Sequence, residues 1–103
     1  MSDAEAAARD HARRIVTGDA GVLRDLAAGA VTEPADLLDR LLEARFHGFE
    51  LVAHARIGAY HIFKTRYIGP SPVVVQVRWV PAAGGGWQVA EAAVARGGVD
   101  EGA

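Results

Sequence analysis

The sequence predicts an α+β fold, with three N-terminal helices packed on a curved antiparallel sheet of about four strands. Three observations carry this prediction. Up to Gly48, apolar side chains recur at helical spacing, with interruptions at Gly18 and Gly29. From Phe49 onward the period changes to two, the signature of strands. Two loops rich in Gly and Pro, Gly69-Pro70-Ser71-Pro72 and Pro81 to Gly86, then cut the second half into strand-length pieces.

The first helix opens with a capping box, Ser2-Asp3-Ala4-Glu5, in which Ser2 and Glu5 satisfy each other's free amides. Ala4, Ala8, His11 and Ile15 form its inward stripe, and Gly18 stops it. Asp19 caps a short second helix that turns Val22, Leu23, Leu26 and Ala27 inward and ends near Gly29. Gly21 weakens it, at about 1 kcal/mol relative to Ala. The third helix starts at Thr32 or Glu33, tolerates Pro34 in its first turn, and carries Leu37, Leu38, Leu41 and Leu42 on one side before Gly48.

The strands are expected at Phe49 onward, Tyr60–Tyr67, Val73–Val80 and Trp87–Ala95. A three-residue loop Arg56-Ile57-Gly58 pairs Leu51 with Phe63, Ala53 with His61 and Glu50 with Lys64, which keeps the faces unmixed. Phe49, Leu51, Phe63, Val75, Val77, Trp79, Trp87 and Val89 then make an inner face against the helices. Val52, Ile62, Val74, Ala90, Ala92 and Val94 fall on the outer face with Glu50, Lys64, Arg66 and Arg78. That face is more apolar than an open sheet face usually is.

Composition bounds the function classes. At 103 residues the chain fits one domain, expected over 1–96 with a frayed Gly-rich, acidic tail over 97–103. The net charge of −2 gives no pull toward nucleic acid or anionic membrane. The absence of Cys removes disulfides, thiolate nucleophiles and Cys-based metal sites. No apolar run is long enough to span a bilayer, and the acidic N-terminus lacks a signal sequence, so a cytoplasmic protein is the expectation. The four histidines show no HxH or HExxH spacing, so no metal and no cofactor are expected.

Helices first, then Tyr60-His61-Ile62-Phe63-Lys64-Thr65-Arg66-Tyr67, Val75-Gln76-Val77-Arg78-Trp79 and Gly86-Trp87-Gln88-Val89-Ala90-Glu91: this order resembles the nuclear transport factor 2-like superfamily. That is the cystatin-like α+β cone shared with ketosteroid isomerase, scytalone dehydratase, limonene epoxide hydrolase and the polyketide cyclases. The resemblance implies a curved sheet wrapped around helices, a pocket at the open end of the cone, and an outer face that often makes a dimer. Enzymes of this fold use inward carboxylates, mostly Asp, and this chain has no Asp between Asp39 and Asp100.

Strand parity points one carboxylate inward, Glu91, and His61 shares its face. A Glu–His pair in an apolar pocket is acceptable acid–base equipment. The competing reading puts Glu91 at a β-bulge or the pocket rim, simply solvated. Phe63, Tyr67, Trp79 and Trp87 are the candidate ligand-binding walls, with core packing as the plainer role for the tryptophans. His11 reads as a satisfied core histidine, His47 as a helix-end cation, and His54 as an outer-face residue. Two functions remain open. One is a small apolar-ligand pocket with His61 and Glu91 as acid–base lyase, isomerase or cyclase machinery. The other is a non-catalytic binding or scaffold module that forms a homodimer through the outer sheet face.

Overall fold

The computed structural model describes residues 3–95, so Ser2 of the capping box and the stretch 97–103 lie outside the described residues. A first helix, α1 (Asp3–Val16), leads into a 3-10 helix (Ala20–Asp25). Strand β1 (Leu26–Glu33), helix α2 (Leu37–Glu43) and strands β2 (Gly48–Ile57), β3 (Tyr60–Ile68), β4 (Val73–Pro81) and β5 (Trp87–Val94) follow. The strands form one sheet in the order β1-β5-β4-β3-β2. Among the described residues no helix is long and apolar enough to cross a membrane.

Helix α1 lies on the sheet because its inward stripe is small. Ala4, Ala8 and Ala12 are buried beside His11 and Ile15, and alanines let a helix approach closely. Gly18, at φ 77, takes the left-handed conformation that ends the helix. The expected second helix is the 3-10 turn, capped as anticipated by Asp19, whose side chain accepts from the Gly21 amide. It is shorter than expected because Leu26 and Ala27 leave it for β1.

That first strand is a correction to the sequence reading. Leu26-Ala27-Ala28-Gly29-Ala30 has weak strand propensity, and its partner strand, β5, lies far along the chain. It pairs in parallel with β5, Leu26 opposite Val89 and Val31 opposite Glu91, with an irregularity between them. The sheet is therefore five-stranded and mixed. Among the described residues two helices and one 3-10 turn, rather than three full helices, cover it. α2 starts later than expected, at Leu37, and buries Leu37, Leu38 and Leu41.

The core is the inner sheet face against α1 and α2. Phe63, Val75, Val77, Trp79 and Val89 are buried as expected, and Phe49, Leu51 and Trp87 pack partly against them. Two bulges set which later residues join them. In β2, Leu51 opposes Thr65 and Ala53 opposes Lys64, so Val52 is an extra residue. In β5, Val89 opposes Trp79 and Glu91 opposes Arg78, so Ala90 is extra. A bulge reverses strand parity beyond it. Ala92 and Val94 therefore face the core, not the outer side, and Ala92 is 1% exposed.

Candidate functional site

The hairpin between β2 and β3 turns through Gly58-Ala59, with Ile57 opposite Tyr60. Gly58 sits at φ 60, which a two-residue hairpin demands of its first central residue. The expected three-residue loop is thus one residue shorter, and the pairing is shifted. His54 now opposes Phe63, and Arg56 opposes His61. His54 consequently lies on the inner face, not the outer one.

This shift builds a histidine pair. His54 Nε2 is 2.9 Å from His61 Nδ1. The ring centres are 5.1 Å apart and the ring planes differ by 24°. The rings therefore meet almost end to end, nitrogen against nitrogen, with one N–H donating to the other's bare nitrogen. His54 also stacks on Phe63 at 4.1 Å with an 11° tilt, and Trp87 meets His61 edge-on at 5.2 Å. His61 is buried on β3, which is paired on both sides, whereas His54 is exposed on the edge strand β2. Burial, then the charges of His54 and Arg56, push the His61 imidazole below its ordinary pKa.

The pair stands beside an open groove of about 210 Å³. Glu5 and Arg9 of α1 line one side, and Leu51, Val52, Ala53, His54 and Phe63 line the other. Arg9 and Glu5 are ion-paired at 3.1 Å. The groove thus combines an apolar wall with a proton-sharing polar group and one flanking ion pair.

The expected His61–Glu91 pair does not exist. The Ala90 bulge turns Glu91 to the outer face, where it is exposed and lies 3.7 Å from Arg78. His61 is on the opposite side of the sheet. The solvated, bulge-displaced Glu91 is the arrangement the structure adopts. Of the expected ligand walls, Phe63 lines the groove and Trp87 touches His61. Tyr67 and Trp79 are 1% and 2% exposed and fill the interior. Tyr67 packs on Phe46 at 5.2 Å, and burial pushes its phenol well above the usual tyrosine range.

A second polar cluster lies deeper. His11 Nδ1 is 2.8 Å from Asp25 Oδ2, and the Arg14 guanidinium donates to the same oxygen at 2.7 Å. His11 meets Trp79 edge-on at 5.3 Å. Burial alone would raise the Asp25 pKa, but the hydrogen bond and charge of His11, together with Arg14, hold it below the usual value. This cluster satisfies a core histidine and ties α1 to the 3-10 turn. A third feature is a groove of about 520 Å³ between the C-terminal ends of α1 and α2, lined by Val16, Thr17, Leu42, Glu43, Arg45 and Phe46 among others. Among the described residues no three His, Asp or Glu side chains are grouped to hold a metal ion.

No family model matches the sequence, and no curated protein does. Solved structures do match in three dimensions. One is a nuclear transport factor 2-like protein of unknown function from Silicibacter pomeroyi DSS-3, with a TM-score of 0.62 at 10% identity. The match covers 92% of this chain and 98% of that one. The fold is that of the nuclear transport factor 2-like proteins. A designed protein of this type matches with a TM-score of 0.62 at 12% identity, over 90% of this chain and 97% of its own. At such identities the likeness shows the fold alone, so the site rests on this chain's own residues.

Proposed function

We propose that this chain binds a small, largely apolar molecule in the groove at the His54–His61 end of the nuclear transport factor 2-like cone. The imidazole pair is the polar contact, and Leu51, Phe63 and Trp87 supply the apolar surroundings. The carrying observation is the 2.9 Å contact between two histidines from different strands at the edge of that groove. Convergent polar groups in an otherwise apolar depression are the usual form of a small-ligand site. Two neutral imidazoles sharing one proton present a free acceptor at one end and a free donor at the other. The pair can therefore accept and return a proton, so acid–base chemistry of the lyase, isomerase or cyclase kind belongs to the same proposal. Native mass spectrometry of the purified chain tests it. Copurifying or added small apolar molecules bind the wild type and are lost in Val52→Arg, which sets a charge on an exposed residue lining the groove, and equal retention by both proteins refutes the assignment.

A second reading is a non-catalytic dimeric module. It is supported by the filled interior, in which Phe63, Tyr67 and Trp79 are all buried, and by the outer sheet face. Val31, Ile57, Tyr60 and Ile68 on that face are 53%, 58%, 42% and 43% exposed, beside charged Glu50, Arg66, Arg78 and Glu91. Two copies of this face would bury apolar side chains at the centre and leave charges at the rim. Sedimentation of wild type and Tyr60→Glu separates the readings: a dimer that Tyr60→Glu dissociates supports the module, and a wild-type monomer removes it.

A further inference from the structure

We infer that His54 and His61 form a latch over Phe63 that acid opens, exposing a deeper apolar surface in the groove. The functional consequence rests on the ligand-binding reading above, whereas the latch itself rests on geometry.

The end-to-end contact sets how many protons the pair holds. Two rings have four nitrogens, and the two that face each other at 2.9 Å have room for one proton between them. A pair with both rings charged places two N–H groups head to head. It can take up the second charge only by separating. Other charges nearby reinforce this. Arg56, from β2, is the cross-strand partner of His61 and adds positive charge. From α1, Arg9 and Glu5 line the groove as an ion pair, so the carboxylate already faces a guanidinium. From β5, the neighbour of His61 is the uncharged edge of Trp87.

The arm that moves is His54. His61 is buried on a strand paired on both sides, next to Trp87. His54 belongs to the edge strand β2, in a run from Val52 to Tyr60 that is exposed throughout. Its imidazole lies flat on Phe63, which is 1% exposed although it lines an open groove. Swinging His54 outward uncovers the face of that ring. The groove then gains apolar area where it was polar, and an apolar ligand binds better in acid than at neutral pH.

The test is an NMR titration of the full chain from about pH 8 to about pH 5, following the His54 and His61 ring signals and the Phe63 ring protons. The expected result is two coupled steps shared by both histidines, with the Phe63 signals moving in the second. Fluorescence of an added apolar dye should rise with that same step. His54→Phe keeps a ring on Phe63 without the charge, so its dye signal should be flat with pH. His61→Phe provides the same control from the other strand. Independent single-step titration of the two rings, or dye binding with the same pH midpoint in His54→Phe, overturns the latch. A groove that binds small apolar fragments at neutral pH despite independent titration overturns the latch and leaves the ligand reading standing. Coupled titration with no fragment bound at any pH overturns the ligand reading and leaves the latch.

Discussion

His54 and His61 touch through their ring nitrogens at 2.9 Å because a two-residue turn at Gly58-Ala59 and a bulge at Val52 aim both rings at the same side of the sheet. Neither residue's chemistry depends on an inward carboxylate. The site is a proton-sharing pair against an apolar wall.

Phe63 anchors that wall. It is 1% exposed, stacks under His54 and belongs to the central core cluster. Phe63→Ala should cost about 3–5 kcal/mol, as lost burial plus an unfilled cavity. Chemical denaturation measures it, and a loss below about 1 kcal/mol would contradict this packing.

Glu91 should be dispensable for stability. Its partner Arg78 is 3.7 Å away and both side chains are substantially exposed. Exposed pairs contribute about 0–1 kcal/mol. Glu91→Gln should therefore unfold within that margin of wild type and leave ligand retention unchanged. A large loss of either would restore Glu91 to the site.

Ala92→Glu should behave in the opposite way. Ala92 is 1% exposed on the core face, so the substitution forces a carboxylate among apolar side chains. A cost of at least about 3 kcal/mol is expected, because the charge must be desolvated or protonated. Circular dichroism of the variant should show lost tertiary stability at any protein concentration. A folded variant that merely changes its oligomeric state would place Ala92 on the outer face after all.

Stability should fall with acid in two windows. The folded-state pKa of His61 is depressed, so the unfolded chain binds its proton first. The contribution is present above the unfolded value of 6.5 and is lost as pH falls below it. Asp25 is likewise depressed, so its contribution is present above 3.8 and is lost as pH falls through the folded value. Denaturant unfolding across pH should show both slopes. His61→Phe should remove the first and Asp25→Asn the second, and a wild-type profile flat from neutral pH to about pH 5 would contradict the His61 environment.

Much of the fold is legible in the residues. The stripe Ala4, Ala8, His11 and Ile15 is the buried face of α1, and Asp19 caps the turn that follows. Strands β3, β4 and β5 begin at Tyr60, Val73 and Trp87, where the periodicity puts them. Strand β1 was not legible, because its Ala-Gly composition carries little strand signal and its parallel partner is distant in sequence. The site was lost to parity. An extra residue at Ala90 reverses Glu91, and one at Val52 together with the shorter turn reverses His54. Gly58 at the first central position was the available signal for that turn, since two-residue loops favour Gly there. Nothing in the composition marks the bulges.

Chemical-shift mapping with a library of small apolar fragments at neutral pH tests the ligand site most directly. Backbone and ring shifts should cluster on Leu51, His54, His61 and Trp87, and should vanish in Val52→Arg while the rest of the spectrum stays native. Shifts concentrated instead on Val16, Leu42, Arg45 and Phe46, in the groove between the ends of α1 and α2, or no shifts at all, would contradict it.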